Sequence, residues 1–106
     1  DLLNQAIRFI DKHYPDETIS LNKVARKVNI SPNYFSAMFS QEVGQTFVEY
    51  LTSKRISEAK RMLRQTDKRS SEIAFAVGYK DPHYFSFVFK KVVGCTPSEY
   101  RRGDRQ

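Results

Sequence analysis

The stretch Val24-Ala25-Arg26-Lys27-Val28-Asn29-Ile30-Ser31-Pro32-Asn33-Tyr34-Phe35-Ser36-Ala37-Met38-Phe39 returns, altered but recognisable, as Ile73-Ala74-Phe75-Ala76-Val77-Gly78-Tyr79-Lys80-Asp81-Pro82-His83-Tyr84-Phe85-Ser86-Phe87-Val88-Phe89. From Pro32 to Tyr50, a shift of fifty residues lands on Pro82 to Tyr100 with ten identities in nineteen positions. Upstream the match continues at a shift of forty-nine, so the second copy has one extra residue in its turn, near Lys80-Asp81. Self-similarity on this scale marks two copies of one supersecondary unit.

Each copy reads as helix, turn, helix, and the start of another helix. Ser20 can N-cap a short helix through Val28. Asn29 and Gly78 then stand where the chain must leave a helix, and these residue types best tolerate a left-handed backbone. Ser31-Pro32 and Asp81-Pro82 each pair an N-cap side chain with a proline at the first helical position. The helices they open, about 32–43 and 82–93, run to Gly44 and Gly94, and Thr46-x-x-Glu49 and Thr96-x-x-Glu99 follow as capping boxes. From Thr46 there is no breaker until Gln65, which predicts a connecting helix of about 30 Å. A first helix over 2–14 sets Leu3, Ile7 and Ile10 at helical spacing. Thr66 to Arg69 read as a polar connection and Arg101 to Gln106 as a frayed tail. The fold expected is all-α, about seven helices in one domain spanning 1–106: a first lobe at 1–45, a connecting helix at 46–65 and a second lobe at 66–106.

Composition bounds the function. The chain has 106 residues, 40% hydrophobic and 28% charged, enough for one compact unit or two very small ones. With one cysteine, Cys95, no internal disulfide can form, and a zinc site would have to find its ligands among Cys95, His13, His83 and acids. No metal and no cofactor are expected. There is no apolar run long enough to span a membrane and no signal peptide, so a cytoplasmic location is expected. There is also no G-x-S-x-G, glycine-rich phosphate loop or H-E-x-x-H, and the paired carboxylates are accounted for by caps, so the chain does not read as an enzyme. Lys and Arg total 18 against 12 Asp and Glu, a net charge of +6, and the surplus is uneven: residues 1–20 carry −2, residues 21–69 carry +6 and residues 70–106 carry +2. A concentrated positive field suggests a polyanionic partner.

The helix from Pro32 places Phe35, Met38, Phe39 and Val43 on one stripe, leaving Asn33, Ser36, Ala37 and Ser40 opposite. Its twin sends Phe85, Val88, Phe89 and Val92 inward and His83, Ser86, Phe87 and Lys90 outward. A small alanine in the preceding helix (Ala25, Ala74), a tight turn and a second helix with a short-side-chain outer face fit the helix-turn-helix, whose second helix enters a major groove. Asn can read adenine bidentately and Ser can read several bases. A connector of about 30 Å is close to the pitch of B-DNA, so one chain could enter two successive major grooves without a dimer. Lys54, Arg55, Lys60, Arg61, Arg64, Lys68 and Arg69 lie on or just beyond that connector, and some of them are expected to meet phosphates.

Ala25-x-x-Val28-Asn29-Ile30-Ser31-Pro32-x-Tyr34-Phe35-Ser36-x-x-Phe39 resembles the DNA-binding domain of the AraC/XylS transcription regulators. The second motif, from Ile73-Ala74-Phe75-Ala76-Val77-Gly78-Tyr79 through Thr96-Pro97-x-x-Tyr100-Arg101, resembles it more specifically. The resemblance covers nearly the whole chain. It implies a bacterial sequence-specific regulator of double-stranded DNA, with two helix-turn-helix lobes bridged by a long helix and a separate sensing, dimerisation or receiver domain elsewhere in the protein. The wording is most similar to members fused to phosphoryl-receiver domains of two-component systems. RNA polymerase is a further partner that the resemblance allows. Carried over by position, the base-reading sites fall on Asn33, Ser36 and Ala37 in the first lobe and on His83, Ser86 and Phe87 in the second. Ala37 and Phe87 depart from the long polar side chains many members use, although a methyl or a ring can meet a thymine methyl. Phosphate contacts are expected from Ser31, Thr46, Arg55, Lys80, Lys90 and Lys91.

Other readings stand beside these. Phe87 fits DNA contact, burial against the first helix of its lobe, or contact with a domain outside this chain. His83 fits either base or phosphate contact or a part in capping its helix. Tyr34 and Tyr84 fit packing better than readout, Cys95 reads as a small structural residue, and His13 sits where it can meet the helix dipole. The competing function is an all-α protein-interaction module with a basic face, which would show clustered large apolar anchors. RNA or single-strand binding would require exposed aromatic platforms.

Overall fold

Seven α-helices follow one another in the computed structural model, which describes residues 1–103: α1 Leu2–His13, α2 Leu21–Lys27, α3 Pro32–Val43, α4 Phe47–Gln65, α5 Ser70–Ala76, α6 Pro82–Val93 and α7 Pro97–Arg102. No strand occurs among the described residues. The chain forms two compact units, Asp1–Lys54 and Arg55 onward, and α4, with 19 residues and thus about 28 Å long, passes from one into the other.

In the first unit, Ala6 and Ile10 of α1 close over Val24, Ala25 and Val28 of the α2 region, Phe35 and Phe39 of α3, and Phe47 and Leu51 of α4. The two α3 rings lie 5.6 Å apart, and Phe39 meets Tyr50 edge-on, also at 5.6 Å. Tyr50 donates its hydroxyl to Asp11 Oδ1 at 3.0 Å, tying α4 to α1. Burial, followed by the hydrogen bond to Asp11 and its charge, pushes the Tyr50 phenol up to about 12. The protonated phenol is therefore the form the fold holds. Its contribution is complete below the ordinary tyrosine value near 10 and is lost as pH rises through about 12. Tyr50→Phe should lower the melting temperature near neutral pH and flatten its fall between about pH 10 and 12. An alkaline limb parallel to the parent's would show that this phenol is not responsible for it.

The second unit repeats the plan. Phe85 and Phe89 of α6 are fully buried, as are Ile73, Ala74 and Val77; Ile56, Ala59 and Leu63 of α4 and Tyr100 of α7 are buried too, and Phe89 meets the Tyr100 ring at 5.7 Å. Cys95 is buried in the turn before α7, a small residue in a packed place. In the capping box that opens α7, Thr96 N–H donates to Glu99 Oε1 at 2.8 Å and Glu99 N–H donates to Thr96 Oγ1 at 3.1 Å. Thr96's hydrogen bonds hold the Glu99 carboxyl below its ordinary value.

Three expectations need correction. Arg101 and Arg102 belong to α7 and are not a tail. Arg101 donates from Nε to the Leu63 carbonyl and from Nη2 to the Thr66 carbonyl, both at 3.0 Å, satisfying acceptors that the end of α4 leaves open. The rest of the expected tail, 104–106, lies outside the described residues. Val92 is 53% exposed and does not point inward; Val93, the partner of Val43 in the repeat, is the more covered of the two. Tyr34 and Tyr84, expected to pack, are 58% and 56% exposed.

Candidate nucleic-acid interface

Helices α3 and α6 are each aimed by the same turn. At the end of α2, Ile30 N–H donates to the Ala25 carbonyl and Asn29 N–H to the Arg26 carbonyl, both at 3.1 Å. At the end of α5, Tyr79 N–H donates to the Ala74 carbonyl at 2.9 Å and Gly78 N–H to the Phe75 carbonyl at 3.2 Å. These pairs are Schellman closures, with Asn29 at φ 61° and Gly78 at φ 107° supplying the left-handed step. The next helix then starts on a side-chain cap: Ser31 Oγ accepts from Tyr34 N–H at 3.1 Å, and Asp81 Oδ1 accepts from His83 N–H at 2.9 Å. Ala25 and Ala74, both fully buried, let the paired helices approach closely. Gly44 and Gly94 end α3 and α6 with left-handed caps.

Outer faces emerge at matched places. Asn33, Ser36 and Ala37 are exposed on α3; His83 and Phe87 are exposed on α6, with Ser86 half-buried beside them. His83 gives only its backbone N–H to the cap, so its ring remains available to a ligand. Phe87 is 63% exposed and does not fold back against its own lobe.

Among the expected phosphate ligands, Ser31, Thr46, Lys80, Lys90 and Lys91 are exposed. Ser31 Oγ and Thr46 Oγ1 accept cap hydrogen bonds, which leaves each hydroxyl proton to donate elsewhere. Arg55 departs from the expectation. It is only 8% exposed, with its guanidinium 5.2 Å from the centre of the Tyr79 ring, so it serves the interior of the second unit. Other α4 cations are also engaged: Lys54 lies 5.6 Å from the Tyr14 ring centre, Lys60 lies 5.8 Å from that of Tyr100, Arg64 donates to the Tyr100 hydroxyl, and Arg61 pairs with Glu58 at 3.0 Å. These aromatic partners are far away in sequence, so local spacing gave no sign of them.

The division into units also relocates the charge. Residues 1–54 carry six basic and six acidic groups, whereas residues 55–106 carry twelve and six, so the whole excess belongs to the second unit. Lys90 and Lys91, in the last turn of α6, bring part of it to the outer face. Lys90→Ala should therefore reduce the slope of log affinity for duplex DNA against log salt by about one, measured by fluorescence anisotropy. An unchanged slope would remove Lys90 from the phosphate contacts.

Besides Phe87, which the sequence pattern places outward, the second unit exposes Phe75 on α5 and Tyr84 and Val92 on α6. Among the described residues there is no group of three or more His, Cys, Asp or Glu that could hold a metal ion, and no helix is long and apolar enough to cross a membrane.

Comparison with known proteins bears on this arrangement. A helix-turn-helix domain family matches residues 24–103. The chain is 36% identical over 101 residues to the arabinose operon regulatory protein of Escherichia coli K12, an alignment covering 95% of this chain and 35% of that protein. It is 39% identical over 104 residues to the transcriptional regulatory protein YesN of Bacillus subtilis, covering 95% of this chain and 28% of that one. Among solved structures, the C-terminal domain of AraT, a response regulator from Geobacillus stearothermophilus, superposes with a TM-score of 0.94 at 40% identity, covering 96% of this chain and 84% of that domain. The chain thus spans about a third of the length of these curated relatives.

Proposed function

Because this chain belongs to the AraC/XylS family of helix-turn-helix transcription regulators, we propose that it binds specific sequences in double-stranded DNA by presenting α3 and α6 to successive major grooves. The observation that carries the reading is the pair of outer faces, each set at the same place by a closed turn and a capped proline start. Asn33, Ser36 and Ala37 read one half-site and His83, Ser86 and Phe87 the other; Ser31, Thr46, Lys80, Lys90 and Lys91 hold phosphates.

The two lobes and α4 act together as one output domain of a longer protein. Its remaining part is a sensing, dimerisation or receiver domain, the receiver being supported by the likeness to a response regulator's C-terminal domain. The exposed Phe75 and Val92 favour a protein-facing surface on the second unit, for that domain or for RNA polymerase. Such a regulator works in the bacterial cytoplasm.

Asn33→Ala and His83→Ala test the assignment. Each should relax preference at a separate half-site by about 1–3 kcal/mol, read as relative affinities for single-base variants of a preferred duplex. Uniform weakening on every sequence would mean that neither side chain reads a base.

A further inference from the structure

Phe87 stands at the middle of the outer face of α6, one turn after His83 and Tyr84 and one turn before Lys90 and Lys91. Its ring is braced from one side: it stacks on Tyr84 at 6.4 Å with the planes 30° apart, and Tyr84 in turn lies 6.0 Å from the buried Tyr79. Toward the end of the helix, Phe87 forms a shallow hollow of about 440 Å³ with Ser86, Lys90, Lys91 and Thr96, walled largely by carbon. The matched position in the first unit is Ala37, so this feature belongs to the second unit.

A phenyl ring can neither donate nor accept a conventional hydrogen bond. Set against an amino group, a carbonyl or an N7 in the major groove, it strips water from a polar atom and returns no partner. Among the four standard bases, only thymine offers a methyl group there, on C5. We propose that Phe87 is a specificity-determining residue that selects thymine through this methyl, which enters the carbon-walled hollow while Lys90 and Lys91 reach neighbouring phosphates. The proposal rests on the DNA-binding reading above and deepens it: it names the base selected at one reading position and the group by which it is selected.

The probe is a duplex selected by the 106-residue chain from a random library, with each thymine replaced in turn by deoxyuridine, which removes only the methyl. At one or two positions the parent should bind about fourfold more weakly, the effect of withdrawing one buried methyl-sized group. Phe87→Ala should bind thymine and deoxyuridine duplexes alike, and Phe87→Leu should keep part of the preference. Both variants should melt with the parent, since the ring is exposed. If the parent prefers its selected sequence yet ignores the loss of every methyl, the proposal is overturned and the DNA-binding reading stands. If Phe87→Ala retains the preference, another residue reads the methyl and the proposal is equally overturned. Failure to enrich any sequence would overturn the DNA-binding reading itself.

Discussion

Phe39→Ala is expected to destabilise the protein by about 3–5 kcal/mol, a large share of the roughly 5–15 kcal/mol available to a domain of this size. The ring is fully buried, 5.6 Å from both Phe35 and Tyr50 and 6.3 Å from Phe47, so truncation leaves a cavity bounded by other rings whose backbones are fixed by helices. Both costs of a large-to-small change therefore apply, the lost transfer free energy and the unfilled volume. In a thermal melt followed by circular dichroism the midpoint should fall by at least about 12 °C. Phe39→Leu, which keeps most of the volume, should lose much less. A Phe39→Ala protein melting within a degree or two of the parent would mean that α3 does not hold the first unit together.

Gly78→Val should be nearly as damaging, through the backbone. At φ 107°, Gly78 lies well beyond the left-handed well, and a β-branched residue is costly there. The position is also buried, where added volume is costly. Strain of about 1–3 kcal/mol together with overpacking of similar size should loosen the turn that aims α6. The contrast with Asn29 sharpens the expectation. Asn29 sits at φ 61°, inside the well that asparagine visits readily, so Asn29→Gly should change stability by only a few tenths of a kcal/mol. If Gly78→Val melts like the parent in the same assay, the turn does not need its glycine.

Local chemistry was legible because it is written in adjacent residues. Ser31-Pro32, Asp81-Pro82, Asn29, Gly78 and the Thr46 and Thr96 boxes each name a cap or a turn, and the structure forms every one of them. Long-range partnerships were not written that way. Arg55 looks like any cation on a basic helix until Tyr79 is folded beneath it, and Arg101 looks like a tail residue until the carbonyls of Leu63 and Thr66 are brought to it. Val92 lies on the apolar stripe when that stripe is extended along α6, yet it is exposed. The repeat pairs Val43 with Val93, and Val93 is the better-covered valine. The tyrosine at this place recurs in both copies as packing residues do, yet more than half of Tyr84 is open, its ring stacked on the exposed Phe87 and tilted against Tyr79.

The central claim is that α3 and α6 of a single chain both read base sequence. Selection from a random duplex library at about physiological salt, using the chain of 106 residues alone, tests it most directly. The account predicts two enriched blocks about one helical turn apart, roughly 10 base pairs between centres. A single enriched block, or none, would contradict it.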